Sequence, residues 1–126
     1  MPEARYEWEQ GVKISINLFR LALAAGWALL FILSFKAVSM MGTDAASALF
    51  FGDMAHPWRG QFNTDFGLHL LLVASWLSWR DRLWYRGLLL GVLAIVFGAV
   101  FTFAFLIVES FRLKGDVRSV LLGARV

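Results

Sequence analysis

Asp65 and His69 are the residues whose types and spacing most readily suggest chemistry. They stand four apart, so a helix puts them on one face. A carboxylate that accepts from an imidazole N–H orients the ring and tunes its charge near neutral pH. Asn63, two residues before Asp65, adds a third polar group at the same end. Two readings follow: a polar pocket or proton relay at membrane depth, or a solvated helix start capped by Asn63 or Thr64. His56, Asp53, Asp65 and His69 contain enough donors for a metal, but no ligand-type spacing such as H-E-x-x-H occurs. No metal, haem or other cofactor is expected. No nucleophile elbow, P-loop or dinucleotide fingerprint is present. No catalytic residue is assigned, and the chain leans away from being an enzyme.

The elements that must position these residues are apolar. The chain has 126 residues, 60% hydrophobic and 17% charged, with a mean hydropathy of +0.67. A globular domain averages about 25% charged residues. This composition excludes a disordered tail and an ordinary soluble enzyme, and it predicts one small integral membrane domain over residues 1–126. Cysteine is absent, which removes disulfides and thiolate chemistry. The net charge of +3 and pI near 9.8 are read as interfacial anchoring, because the basic residues flank apolar runs. No nucleic-acid partner is expected.

Three transmembrane spans are expected, at about 14–41, 62–79 and 87–109. The uncharged core of the first, Leu21 to Phe35, is flanked by Arg20 and Lys36, whose long stems can snorkel to the two interfaces. It is expected to remain as an anchor, because Glu3, Glu7 and Glu9 do not suit a cleaved signal. Asn17, Arg20, Ala24, Trp27 and Ser34 recur on one side of it, the side expected to face protein. Residues 42–62 read as a short interfacial helix, capped by Thr43 or Asp44, running through Phe51 and ended by Gly52, then a turn around Pro57. The second span is short and polar where it holds Asn63, Asp65 and His69. The third, Leu88 to Val108, is uncharged throughout. An amphipathic tail follows, with a helix start at Gly115-Asp116 and a stop at Gly123. Residues 1–13, with Tyr6 and Trp8, read as an interfacial segment.

Gly87, Gly91, Ala94 and Gly98 share one helical face of the third span. Small residues let backbones approach closely where lipid gives no hydrophobic drive between helices. The stripe packs either on another span of this chain or on a second copy.

A three-span path puts Arg20 opposite Asp65 and Glu109. Lys36 is then the cation level with them. One membrane face is expected to gather Lys36, His56, Asn63, Asp65, His69 and Glu109, and any pocket or relay is expected there. The Lys and Arg tally ties: Arg5, Lys13, Arg20, Arg80, Arg82 and Arg86 on one side, and Lys36, Arg59, Arg112, Lys114, Arg118 and Arg125 on the other. The compact 80–86 connection favours a cytoplasmic N-terminus.

FNTDFGLHLLLVASWLSWRD (62–81), the small-residue third span and KGDVRSVLLGAR (114–125) together resemble small uncharacterised bacterial multipass inner-membrane proteins. The resemblance covers roughly residues 58–125. It implies a bacterial cytoplasmic membrane and adds no role to any residue. The function expected is an accessory or structural subunit, or helix-packing scaffold, of a membrane complex. Its partners would be membrane lipids and either a second copy or a larger membrane protein. The alternative is a lipid or small-molecule binder or transporter, with its pocket near Asp65 and His69.

Overall fold

A computed structural model describes residues 15–113 and 117–125. The described chain is all helical, with no strand among those residues. Helix α1 is Ile16–Met41, α2 is Asp44–Gly52, α3 is Pro57–Arg80, α4 is Trp84–Phe97, α5 is Ala99–Arg112 and α6 is Val117–Leu122. Short 3-10 turns, Asp53–Ala55 and Gly123–Arg125, follow α2 and α6. The segment 1–13 and the helix start expected at Gly115-Asp116 lie outside the described residues.

The first apolar run is helical to Met41, whereas the end of the expected loop is taken into α3. That run, with Arg20 and Lys36 inside it, gives α1, which Gly42 closes at φ 80°. The segment expected to lie at the interface gives α2, which ends one residue later than expected. Pro57 is not a turn but the first residue of α3, where its missing N–H costs nothing and its fixed φ suits a helix. So α3 starts five residues before the expected position. Among the described residues, α1 alone is both long and apolar enough to cross a membrane, with mean hydropathy 2.0 over its most apolar stretch.

The expected third span is not one helix. It breaks at Gly98, which adopts φ 62° and ψ −142°. Its N–H still donates to the Ala94 carbonyl at 2.8 Å, completing α4. Its carbonyl accepts from Thr102 N–H at 3.1 Å, starting α5. Both helices keep their ladders, and only the direction changes. That backbone region is essentially closed to a residue with a Cβ.

The chain then returns the way it came. Going down α4 from Leu90 to Ala94 and back up α5 from Phe101 to Phe105, the side chains share one apolar cluster with Leu77 of α3. At the end of α5, Glu109 meets Arg80 at 3.3 Å. A straight helix from 84 to 109 would have carried Glu109 about 37 Å away. Helices α4 and α5 are therefore a hairpin, each about 21 Å long.

Helix α3 packs antiparallel on α4 through the small stripe. A Cβ on Gly87 would lie 2.5 Å from the Ser78 carbonyl oxygen, and one on Gly91 3.0 Å from that of Ala74. Gly87, Gly91 and Ala94 are buried in this contact, inside one chain. Gly98 does not belong with them: a Cβ there would meet nothing within 4 Å. It is the turn, not a packing position.

Helix α1 runs antiparallel to α5. Leu23 packs with Leu106 and Val120, and Gly26 lies against the Phe103 ring. The face of α1 used is Arg20, Leu23 and Gly26. Asn17, Ala24 and Ser34 of the expected face stay exposed. Trp76 and Phe105 touch both small cores and join them. Beyond the hairpin turn, α1 and the first half of α3 extend as limbs with exposed apolar side chains, among them Ile32, Phe35, Phe62 and Leu68.

Candidate functional site

The expected polar site does not assemble as one group. Asp65 Oδ1 and His69 Nδ1 are 3.3 Å apart, so the i, i+4 pair exists. Their side chains are 60% and 70% exposed, and the same Nδ1 lies 2.8 Å from the Asp65 carbonyl. Asn63 turns aside and donates to the Phe50 carbonyl at 3.0 Å, tying α3 to α2. His56 caps α3, its Nδ1 accepting from Arg59 N–H at 3.4 Å. Lys36 is exposed near the end of α1, with Ser39 Oγ on its carbonyl.

Glu109 is at the opposite end. The expectation that it lies level with Lys36 assumed a crossing that the Gly98 turn cancels. The same turn removes the expected separation of Arg20 from Glu109. Arg20 Nε donates to Ser110 Oγ at 3.0 Å and its Nη2 to the Ser110 carbonyl at 2.8 Å. Its guanidinium also sits 3.9 Å from the Phe111 ring centre.

The group that does assemble is Arg80, Glu109 and Arg112. Arg80 and Glu109 are each 3% exposed. Arg112 grips both carboxylate oxygens, Nε to Oε1 at 2.9 Å and Nη2 to Oε2 at 2.8 Å. Such bidentate, charge-assisted bonds are strong and directional. Arg80 then reaches past Glu109 to the tail. Its Nε and Nη2 donate to the Val120 carbonyl at 3.1 and 2.9 Å.

A second rule organises this end. The last carbonyls of a helix have no partner within it and carry partial negative charge. Here Arg20 takes a carbonyl of α5 and Arg80 one of α6. Trp76 Nε1 takes the Leu121 carbonyl of α6 at 3.0 Å. Arg125 returns the contact, its Nε donating to the Trp79 carbonyl of α3 at 2.7 Å. The ends of α3, α5 and α6 are thus laced by cationic and indole donors. With both Glu109 oxygens engaged and the group buried, the node is built to hold the fold rather than to move protons.

Sequence reasoning missed this node because it placed Arg80 and Glu109 on different faces. The available signal was the glycine in the middle of the third apolar run, read as part of a stripe. No three His, Asp or Glu side chains among the described residues converge as a metal site. No family model, curated protein or solved structure matches the chain.

An exposed i, i+4 pair contributes little to folding. Asp65→Asn and His69→Ala are each expected to change the stability of the isolated chain by less than about 0.5 kcal/mol. Thermal unfolding in detergent measures this, and a loss above about 2 kcal/mol would contradict the exposed placement.

Proposed function

We propose that the chain is a small membrane-embedded accessory or structural subunit that works through its helix faces. The observation that carries this reading is α1. Its 26 residues are strongly apolar, yet almost none of the stretch is buried inside the fold. Leu29, Phe31, Ile32, Leu33 and Phe35 are all exposed, and they point to more than one side. A helix that is apolar all round and unburied has to be covered by lipid or by other helices.

In this reading α1 crosses the bilayer, and the α4–α5 hairpin enters and returns on one side. At about 21 Å it falls short of a hydrocarbon core about 30 Å thick. Helix α3 crosses beside a partner. With Arg80 at the interface, His69 and Asp65 lie about 16 and 22 Å along the axis, at membrane depth. Exposed ionisable groups at that depth are expensive unless protein covers them. That cost favours a complex over a lone chain, in a bacterial inner membrane or one like it. A binder or transporter with a pocket at Asp65 and His69 has less support, because neither side chain is enclosed.

Native mass spectrometry from membrane-derived nanodiscs tests the reading. The expected result is a discrete homo-oligomer or a stoichiometric larger partner, in a fraction that resists alkaline carbonate. Asp65→Asn with His69→Ala is expected to weaken that assembly while leaving the isolated chain folded. A soluble monomer that needs no detergent would overturn the proposal.

A further inference from the structure

The hairpin changes the charge map of the molecule. Arg80, Arg82 and Arg86 stand where α3 passes into α4. Arg20 joins them at the start of α1, through Ser110. Because α5 returns, Arg112, Arg118 and Arg125 come back to this end as well. Of the nine Lys and Arg among the described residues, only Lys36 and Arg59 lie at the other end. The described carboxylates divide the opposite way: Asp81 and Glu109 at the arginine end, Asp44, Asp53 and Asp65 at the far one. Among the described residues, the first end carries a surplus of five positive charges, from seven arginines against two acids, and the far end a deficit of one.

Part of that charge is used internally. Arg20, Arg80 and Arg125 hold carbonyls. Arg82 and Arg118 are exposed, and the side chains of Arg86 and Arg112 are 45% and 55% exposed beside Asp81 and Glu109. Around them Trp84 is 77% exposed, Tyr85 59% and Trp79 48%. Outward arginines interleaved with exposed Trp and Tyr are the composition of a headgroup-level anchor. Guanidinium forks match phosphate geometry, and each basic residue near an anionic leaflet adds attraction that fades within a Debye length.

We propose that this arginine end docks on the anionic phospholipid headgroups of the cytoplasmic leaflet, so that the chain enters α1 and leaves α6 on the cytoplasmic side. The proposal rests on the membrane reading above. It replaces a tied tally of basic flanks with a strongly unequal one, and it assigns a lipid class to a named surface.

The absence of cysteine in the chain makes the test clean. Leu83→Cys reports the arginine end and Ser47→Cys the far end, each probed with a membrane-impermeant maleimide in intact bacterial cells. Ser47→Cys is expected to label directly, and Leu83→Cys only after permeabilisation. In nanodiscs of phosphatidylglycerol and phosphatidylcholine, native mass spectrometry counts the anionic lipid retained by the protein. Arg82→Gln with Arg118→Gln removes two charges that hold no carbonyl of the fold, and is expected to lower retention about fivefold for each charge. Labelling of Leu83→Cys from outside, or unchanged phosphatidylglycerol retention, would overturn the docking proposal alone. If neither cysteine labels in intact cells and the protein leaves with the alkaline wash, the membrane reading falls first and the docking proposal with it.

Discussion

Glu109→Ala is expected to cost the folded chain about 3–5 kcal/mol, the loss typical of removing one partner from a buried ion pair. The reason is what remains. Arg80 is 3% exposed and loses the Glu109 carboxylate, keeping the Val120 carbonyl and the Phe105 ring, whose centre is 5.1 Å away. A guanidinium enclosed by a hairpin and a tail helix cannot reach water without displacing one of them. The tail is the easier to displace, because Arg80, Trp76 and Arg125 hold it largely by backbone carbonyls. Thermal unfolding in detergent should show the loss, and limited proteolysis should release α6 before the helical signal falls. Arg112→Ala is the control. Its side chain is 55% exposed, so about 1 kcal/mol or less is expected. Arg80→Met combined with Glu109→Leu should be less damaging than Glu109→Ala, since no charge is then left buried. An unchanged melting temperature for Glu109→Ala would show that the node does not hold the fold.

The sequence made the helices legible where local chemistry decided them. Apolar runs closed by Gly42 and Arg80 mark the ends of α1 and α3 with little ambiguity. The Gly87 and Gly91 spacing identified a close helix contact, and the α3 backbone fills it. The i, i+4 relation of Asp65 and His69 was equally readable. What could not be read was the direction of the chain after Gly98. A glycine inside a helix costs only about 1 kcal/mol, so an apolar run containing one still reads as continuous. The turn is selected by distant partners: Leu77 and Leu90 against Phe105, and Arg80 against Glu109. One wrong direction then moved several residues at once. It put Glu109 beside Lys36, separated Arg20 from Ser110, and split the Lys and Arg residues evenly between two faces. Exposure of Asp65 and His69 was hidden for the same reason, because their surroundings depend on which segments return to them.

Gly98 is therefore the position where a small change has the largest topological effect. At φ 62° and ψ −142°, any side chain with a Cβ adds about 1–3 kcal/mol of backbone strain. That strain vanishes if α4 and α5 straighten into one helix from Trp84 to Arg112, about 43 Å long and able to cross a bilayer. Straightening separates Glu109 from Arg80, and leaving one partner of a buried ion pair uncompensated costs about 3–5 kcal/mol. It also gives up the packing of Phe101 and Phe105 on Leu90 and Ala94. The comparison favours the hairpin in Gly98→Ala, which should stay folded back with stability lowered by about 1–3 kcal/mol. Adding Glu109→Ala removes the main opposing contribution, and the double variant should populate the straight helix. Spin labels on cysteines placed at Trp84 and Phe111 distinguish the two forms by distance. Gly98→Ala should keep the short separation of the hairpin, and the double variant should add a population near about 40 Å. A single variant that straightens, or a double variant that does not, would show that these two contributions do not set the direction of the chain.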